Sequence, residues 1–451
     1  MPLRSTILTI LIGCTADDPT GSSKDTALST TRPWTGSQPD AATIVAPDGF
    51  EVMRAITHLH SAWSHDACDG DPLPGGEPDP SCLADLRAAL CTLQIDAAYL
   101  SDHPTHAGDQ GYDALVHLRD EDERVEGGAW MACPDGEPVL LRPGIEGGMM
   151  PLGLERHIDT LDLYGDRSPA AIAEAQAAGA VVFTAHTEGR TLEDLIALQA
   201  AGLQGVEAFN IHAMFDPSIR EEDLGLERLG WLTDIAPFSS PDGDAEPDLL
   251  FLGVLGEQAP SIAAWDALSA IAPTVGIGGS DAHQNVYPVI LRDGERGDSY
   301  RRMLRWMSNH LLATERSRAA ADEALAAGRL SVVFEVLGTP SGLDVAVTQS
   351  EQRLLPGSRA SWSGGTLSVA CPTLHPESPQ GPDAPDITAS VFKDGVPWAE
   401  GCGDHALDGP GVYRVRFDIL PWHLAPFLGS DADPWLKTWP WVYTNPITLT
   451  E

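Results

Sequence analysis

Short apolar segments alternate with helical patterns over about the first 330 residues, and this alternation restricts the fold more than any other feature of the chain. Each strand-like segment is rich in Val, Ile or aromatic residues and is bounded by Gly, Pro or Asp. These segments are 51–56, 96–100, 139–142, 181–184, 205–209 and 274–277. Because alternating strands and helices give parallel strands covered by helices, the sequence predicts an α/β fold, either a (β/α) barrel or an open sheet.

Capping residues mark the helices between these strands. Ser and Thr at a helix start accept hydrogen bonds from the free N–H groups of the first turn, and Gly commonly ends a helix. The predicted helices begin at Ser81, at Ser168-Pro169 (ending at Gly179) and at Thr191 (ending at Gly202), and two more cover 261–272 and 299–327.

The pattern changes after Gly328 to short β segments separated by turns. These segments are 331–337, 343–348, 366–370, 387–392, 412–419 and 441–443. They predict a small all-β, sandwich-like domain over 329–451. The tryptophans near the C-terminus, Trp422, Trp435, Trp439 and Trp441, are expected to pack against the main domain.

The N-terminus and the cysteines indicate export. Residues 1–14 combine one Arg with a short apolar run that ends in Leu-Ile-Gly-Cys, which is typical of a lipoprotein signal with Cys14 as the lipidated residue. Residues 15–48, rich in Ser, Thr, Asp and Pro, are predicted to be a disordered tether. The other six cysteines favour disulfides. Cys371–Cys402 is the natural C-terminal pair, and among the alternatives for the rest we adopt Cys68–Cys82 and Cys91–Cys133.

The net charge limits the possible partners. With 27 Lys and Arg against 66 Asp and Glu, the chain carries −39 at pH 7. Such a field repels nucleic acids and anionic membrane surfaces. We therefore expect a small-molecule substrate, no nucleic acid, and membrane contact only through Cys14, at the bacterial cell envelope.

Histidines and carboxylates follow the predicted strands where those strands end. His58 and His60 have the i, i+2 spacing that places two side chains on one face of an extended chain, and Asp281 and His283 repeat it. Single candidates after other strands are His103, Glu146 and His186. Because the carboxyl ends of parallel barrel strands open on one rim, these residues are expected to meet there around metal ions.

In this order the motifs resemble those of the PHP (polymerase and histidinol phosphatase) superfamily of metal-dependent hydrolases. The similar residues are His58, His60, His65, Asp102-His103, Glu146 in Gly-Ile-Glu, His157, His186, Asp281 and His283. The similarity covers roughly residues 50–312. The ending Trp441-Val442-Tyr443-Thr444-Asn445-Pro446-Ile447 also resembles that of exported members related to carbaryl hydrolase.

The resemblance implies a distorted (β/α)7 barrel over 49–328 and two to three divalent ions (Zn, Mn or Fe). The implied ligands are His58, His60, His65, His103, Glu146, His157, His186, Asp281 and His283. Many members carry Asp at the third position, so Asp66 is the alternative to His65. The predicted catalytic residues are Glu146, Asp102 and His212, with Glu207 and Asn210 as residues that line the pocket or orient ligands.

Such a cluster supplies a metal-bound hydroxide without a protein nucleophile. The favoured function is a phosphoesterase that acts on small phosphate esters outside the cytoplasm, and Arg190 and Arg220 are weaker candidates for contacting an anionic substrate. One alternative is an amide, ester or carbamate hydrolase with the same metal site, which the carbaryl-hydrolase-like ending favours. The other is a non-catalytic, metal-stabilised surface-binding lipoprotein, against which the complete ligand set weighs.

Overall fold

The computed structural model describes residues 34–158, 162–376 and 379–451, which all belong to one unit, 34–451. The predicted signal segment and the tether up to residue 33 lie outside the described residues. Residues 34–48 of the predicted tether are ordered against the domain: the Trp34 indole donates to Asp248, and the Pro39 carbonyl accepts from Arg54. In the described part of the chain, no helix has both the length and the apolarity to cross a bilayer.

The first two-thirds of the chain mixes strands and helices. The strands are β1 (Glu51–Leu59), β2 (Ala97–Leu100), β3 (Glu123–Val125), β4 (Gly128–Met131), β5 (Val139–Arg142), β6 (Met150–Leu152), β7 (Val181–Thr184), β8 (Gly205–Asn210), β9 (Val275–Ala282), β10 (Ser308–Ala313) and β11 (Leu330–Val333). The helices are α1 (Pro80–Thr92), α2 (Pro104–Ala107), α3 (Tyr112–Leu115), α4 (Asp162–Gly165), α5 (Pro169–Ala177), α6 (Leu192–Ala200), α7 (Pro217–Glu222), α8 (Trp231–Asp234), α9 (Ala236–Ser239), α10 (Ala259–Ile271), α11 (Tyr300–Trp306) and α12 (Arg318–Ala327).

Six strands pair in parallel in the spatial order β5, β2, β1, β9, β8, β7. The antiparallel strand β6 lies beside β7, and a bridge between Gly144 and Leu152 joins it to the chain leaving β5, which closes the circuit. Side chains of β2, β5, β7, β8 and β9 are buried along their whole length, as expected for parallel strands covered on both faces. The mixed α/β architecture is thus confirmed, while the specific (β/α)7 barrel stays a prediction.

The chain after Gly328 is rich in β-strands. They are β12 (Thr339–Ser341), β13 (Asp344–Gln349), β14 (Gln352–Leu354), β15 (Arg359–Ser361), β16 (Thr366–Ala370), β17 (Thr373–His375), β18 (Asp386–Lys393), β19 (Val396–Glu400), β20 (Gly403–Ala406), β21 (Gly411–Leu420), β22 (Trp439–Thr444) and β23 (Ile447–Thr450). Through β1–β10–β11–β22–β21, these strands continue the main sheet, while β14–β13–β16–β20 form a second sheet. A separate C-terminal domain stays a prediction. Trp435, Trp439 and Trp441 are buried, and Trp435 packs edge-on against Phe238 of the preceding part.

Two local predictions are wrong. The helix predicted over 299–327 is instead α11, then strand β10, then α12. Residues Ser308–Ala313 form a strand because they pair antiparallel with the first half of β1, and tertiary pairing overrides helical propensity there. The N-cap of α1 is Asp79 and not Ser81: its carboxylate accepts from the N–H groups of Ser81 and Cys82.

All three adopted disulfides are confirmed: Cys68–Cys82, Cys91–Cys133 and Cys371–Cys402. The first joins the irregular segment after β1 to α1, the second joins α1 to the chain after β4, and the third joins the end of β16 to the segment before β20.

A buried ion pair connects the main sheet to the C-terminal strands. Glu335 Oε1 accepts from Arg54 Nε at 2.9 Å, from Ser308 Oγ at 2.9 Å and contacts His310 Nε2 at 2.8 Å, while Oε2 accepts from Thr339 at 2.5 Å. Burial opposes ionisation, but the Arg54 charge and the His310 contact hold the pKa of Glu335 well below its ordinary value of 4.5. Glu335 therefore stabilises the fold above its ordinary pKa, and this contribution is lost as the pH falls below about 4.5.

Replacing Glu335 with Gln should lower the free energy of unfolding at pH 7 by about 3–5 kcal/mol, because the buried Arg54 loses its counter-charge. Below pH 4.5, the free energy of unfolding of the variant should fall less steeply with decreasing pH than that of the unmodified protein, because Glu335 no longer titrates. Urea denaturation followed by tryptophan fluorescence measures both. The control is Glu323→Gln, which removes an exposed pair with Arg329 and should cost at most about 1 kcal/mol. Equal losses in the two variants would contradict the role of Glu335.

Candidate metal centre

The carboxyl ends of the parallel strands bring together six of the predicted ligands. They are His58 at the end of β1, His60 directly after it, His103 after β2, Glu146 after β5, His186 after β7 and Asp281 in β9. A register shift in the pairing of β1 occurs between Ile56 and Leu59, next to His58. Bulges of this kind re-aim side chains near functional sites. The parallel topology thus supplies the convergence that the strand-end pattern predicts.

Four imidazoles in this cluster are held through Nδ1. His58 Nδ1 lies 2.5 Å from Glu207 Oε1, and His60 Nδ1 lies 2.9 Å from Ser64 Oγ. His103 Nδ1 lies 3.1 Å from the main-chain oxygen of Glu146, and His186 Nδ1 lies 3.0 Å from Glu188 Oε1. An acceptor at Nδ1 fixes the tautomer that keeps the Nε2 lone pair free. All four rings are therefore oriented to offer Nε2 as a ligand.

The four Nε2 atoms converge on the carboxylates of Glu146 and Asp281. Glu146 Oε2 lies 3.3 Å from His58 Nε2, 3.3 Å from His60 Nε2 and 3.4 Å from His103 Nε2, and its Oε1 lies 3.3 Å from His186 Nε2. Asp281 Oδ1 lies 3.3 Å from His58 Nε2 and 3.1 Å from His60 Nε2, and its Oδ2 lies 3.5 Å from His186 Nε2. One compact set of nitrogen and oxygen atoms results.

These distances fit atoms that share a metal ion. With metal–ligand bonds of about 2.0–2.2 Å, two ligands of one ion lie about 3.0–3.5 Å apart. The Nε2 atoms of His58 and His60 are buried and have no hydrogen-bond partner, which is unusual for polar atoms in a protein interior. A cation between these residues explains both observations, and nitrogen with carboxylate oxygen suits zinc, manganese or iron.

The ligand atoms divide into three groups, each compact enough for one ion. The first contains His58, Glu146, His186 and Asp281, the second His60, His103 and Glu146, and the third His65, Asp66 and His103. Glu146 belongs to the first two groups, and His103 to the last two. The geometry therefore offers room for two or three adjacent ions.

The carboxylates around His58 and His60 favour positive charge on these imidazoles. Burial works against protonation, yet contacts with Asp281 and Glu146 raise the pKa of His60 to about 10. The pKa of His58 is also raised, again against burial, by the charges of Asp281, Glu207 and Glu146. Protons and metal ions compete for such nitrogens, so metal binding should release protons.

Both predicted alternatives for the third ligand, His65 and Asp66, lie close to His103. His65 is exposed, with its ring centroid 4.8 Å from that of His103, and Asp66 Oδ2 lies 3.4 Å from His103 Nε2. His283 lies at the edge of the cluster, with Nε2 at 3.8 Å from Asp66 and 3.9 Å from Asp281, and burial lowers its pKa to about 3. Its ring packs edge-on against that of His212, with the centroids 4.8 Å apart.

Two predicted residues are not brought to the cluster. His157 Nε2 lies 2.7 Å from the Gly108 carbonyl oxygen and its Nδ1 lies 3.1 Å from the Tyr164 hydroxyl, so both ring nitrogens are engaged elsewhere. Asp102, predicted to be catalytic, accepts from the N–H and the hydroxyl of Ser61 at 2.5 and 2.7 Å. Its carboxylate therefore holds the segment after β1 and does not face the metal ligands.

Glu207 orients two ligands at once. Its Oε1 contacts His58, and its Oε2 accepts from the main-chain N–H of His186 at 2.7 Å. Asn210 donates to Asp281 Oδ2 at 3.2 Å. A Cβ atom at Gly279 would collide with Glu207 Oε1, so a glycine is required for this approach. The expectation that Glu207 and Asn210 orient ligands thus matches their contacts.

Ser64 and Glu188 also support candidate ligands, although the sequence pattern does not single them out. Ser64 Oγ contacts His60 Nδ1, donates to Asp66 Oδ1 at 2.7 Å and accepts from the N–H of His103 at 3.3 Å. Glu188 follows His186 by two residues in a short 3₁₀ turn. The spacing of two residues between Glu188 and the predicted ligand His186 is the sequence feature that could identify Glu188 as a support. Nothing in the sequence distinguishes Ser64 from other serines.

Two arginines near the site differ in their free donors. Arg190 Nε donates to the Ala185 carbonyl at 3.1 Å, and its guanidinium lies within electrostatic reach of Glu146, Glu188 and Glu207. Among the described residues, no hydrogen bond or ion pair engages its Nη atoms. Arg220 is instead bonded to the carbonyls of Met214 and Glu227. Of these two arginines, Arg190 therefore has more donors left for an anion.

Comparisons with known proteins add a distant structural similarity. No protein-family model matches the sequence, and no curated protein matches it. A solved structure that matches is that of a two-domain protein containing a predicted PHP-like metal-dependent phosphoesterase from Bacteroides vulgatus ATCC 8482. The match covers 89% of this chain and 98% of that chain, with 15% sequence identity and a TM-score of 0.38.

The contrast between His58 and His157 gives a direct test of the ligand set. His58→Ala should abolish stoichiometric metal binding, because its Nε2 is central to the first group. His157→Ala should leave the metal content unchanged, since both its ring nitrogens are bonded elsewhere. Elemental analysis after dialysis against Zn²⁺ or Mn²⁺ measures this. A loss of metal in His157→Ala with full retention in His58→Ala would contradict the assignment.

Proposed function

We propose that the protein is a metal-dependent hydrolase of phosphate esters. The observation that carries this proposal is the convergence of four imidazole Nε2 atoms on the carboxylates of Glu146 and Asp281. Two or three divalent ions would be held by the three groups described above, with Glu146 shared between the first two. When bound, such ions polarise a phosphoryl oxygen and lower the pKa of a coordinated water to about 7.

The protein's own residues prepare the site for this chemistry. Glu207 and Glu188 accept at Nδ1 of His58 and His186, which keeps both rings oriented before any ion binds. Ser64 likewise accepts at Nδ1 of His60, and Asn210 donates to Asp281 Oδ2, which orients that carboxylate. His58, His186 and Asp281 have left-handed backbone conformations (φ of 52°, 51° and 48°), which carry a local conformational cost that the surrounding fold must offset. Preorganisation of this kind avoids rearrangement during the reaction.

The unpaired donors of Arg190 are an argument for an anionic substrate. An arginine offers a planar fork of donors that matches the oxygens of a phosphate group. In a chain with 66 acidic residues, a guanidinium with unpaired donors beside the metal ligands is a specific feature. It favours a phosphate ester over an uncharged amide, ester or carbamate.

We further propose that the chain belongs to the PHP superfamily, in the exported subgroup related to carbaryl hydrolase, with a distorted (β/α)7 barrel. The ordered ligand series and the closed pairing of the seven strands β5, β2, β1, β9, β8, β7 and β6 support this. Three disulfides support export to an oxidising compartment. Anchoring through a lipidated Cys14 at the cell envelope is part of the same proposal and rests on the signal-like residues 1–14.

A substrate panel tests the reaction type. The metal-loaded protein should hydrolyse p-nitrophenyl phosphate or bis-p-nitrophenyl phosphate, and chelation should abolish turnover until Zn²⁺ or Mn²⁺ is restored. Phenyl and p-nitrophenyl carboxylic esters and carbamates should be poor substrates. Turnover of carboxylic esters or carbamates without phosphate esters would replace the proposal with acyl hydrolysis. Bound metal without any turnover would favour a non-catalytic surface-binding lipoprotein.

Arg190→Ala should raise KM for p-nitrophenyl phosphate about 10–100-fold, since a charge-assisted hydrogen bond contributes about 1.5–3 kcal/mol. Metal content should not change, because Arg190 makes no contact with the ligand atoms. The control is Arg228→Ala, which removes the same charge at an exposed pair with Glu221. Steady-state kinetics of both variants measures the change in KM. An unchanged KM in Arg190→Ala would show that Arg190 does not bind the phosphate.

A further inference from the structure

The segment that follows Asp66 is hydrogen-bonded to the chain after β9. The N–H of Cys68 donates to the His283 carbonyl at 2.9 Å, and the N–H of Asp69 donates to the Gln284 carbonyl at 2.9 Å. Asn285 Nδ2 donates to the Asp66 carbonyl at 2.8 Å. The segment therefore depends on contacts with the strand end that carries Asp281 and His283.

Two further links hold the same segment. Arg296 makes a two-bond contact with the Asp69 carboxylate at 2.8 and 2.9 Å and also donates to the Gln284 carbonyl. The Cys68–Cys82 disulfide joins the segment to the first turn of α1. Tyr300 of α11 lies against Cys82, with its hydroxyl 3.9 Å from Sγ, and donates to the main-chain oxygen of His60 at 3.0 Å. The disulfide thus joins the segment to α1, and through Cys82 to Tyr300, which also bonds the main chain of His60.

The third ligand group needs such anchoring more than the other two. His58, His186 and Asp281 lie in or directly after strands of the closed sheet, whereas His65 and Asp66 lie in the irregular stretch between β1 and α1. Cys68 and Asp69 adopt left-handed backbone conformations with φ of 54° and 60°. A stretch of this length without strands or long helices samples many conformations when its ends alone are fixed. Asp66, which lies 3.4 Å from His103 Nε2 and accepts from Ser64 Oγ, is carried by this stretch.

We propose that the Cys68–Cys82 disulfide, together with Asn285 and Arg296, positions Asp66 and His65 for the third metal ion and is not needed for the first two. This inference rests on the proposed metal-dependent function. It makes the disulfide a positioning element for one ion, in addition to any effect on stability. The C-terminal disulfide Cys371–Cys402 lies among the last strands and has no such role.

The test counts bound metal ions in the full-length protein. The double variant Cys68→Ser/Cys82→Ser and the milder variant Asn285→Ala are stripped of metal and dialysed against buffered Zn²⁺, and bound Zn²⁺ is measured by elemental analysis. The double variant should bind the third Zn²⁺ about 10–100-fold more weakly, with the first two unchanged. Asn285→Ala should weaken the third Zn²⁺ about fivefold, as expected for one lost hydrogen bond. The control Cys371→Ser/Cys402→Ser should bind as the unmodified protein does.

Each outcome separates this inference from the function on which it rests. Loss of the third Zn²⁺ alone, in both test variants and not in the control, supports the positioning role. An unchanged third Zn²⁺, or a simultaneous loss of all three ions, would overturn it and leave the metal-dependent function standing. Two Zn²⁺ ions at saturation in the unmodified protein would also overturn it, because no third ion exists to be positioned. No Zn²⁺ in the unmodified protein would instead overturn the proposed function itself.

Discussion

The burial of two carboxylates among four imidazoles at one end of a parallel sheet is the constraint on which the site depends. Glu146 and Asp281 have side chains that are 7% and 5% exposed, and groups so deeply buried must be paired with positive charge. Pairing them with protonated histidines alone leaves the Nε2 atoms of His58 and His60 without hydrogen bonds. A divalent cation satisfies the carboxylates and the imidazoles together, which is why the cluster is best understood as a metal centre.

The sheet provides the rigidity that this cluster requires. Its ligands follow five different strands, and the closed circuit of strand pairing fixes the relative positions of these strand ends. Glu207 shows how tightly the parts depend on each other: it approaches His58 only because Gly279, on the neighbouring strand β9, has no side chain. The candidate ligands His65 and Asp66 lie outside the sheet. The loop that carries them contacts residues 283–285 and is joined to α1 by a disulfide.

Most buried charges in this protein are neutralised by a neighbouring residue of opposite charge. The chain carries a large excess of acid, yet its buried arginines are mostly paired, as Arg54 is with Glu335 and Arg302 with Asp248. Neither Nη group of Arg190 has a partner among the described residues, and its guanidinium lies within electrostatic reach of Glu146, Glu188 and Glu207. Under the proposed function, Arg190 would attract an anionic substrate at the site itself, in spite of a net charge that repels anions at a distance.

The sequence by itself determined the strand–helix alternation, the even number of cysteines that favours disulfides, and the set of strand-end residues from which the cluster is built. These features are local, since a strand ending in His-x-His or Asp-x-His and an even number of cysteines can be recognised without knowing distant neighbours. Tertiary structure alone decided which candidates meet. It engaged His157 with Gly108 and Tyr164, bound Asp102 to Ser61, and turned the middle of the helix predicted over 299–327 into strand β10. It also selected Ser64 and Glu188 as supports for the ligands. The physical reason is that a side chain's hydrogen-bond partners and a strand's neighbours lie far away in the sequence, so only the folded chain determines them.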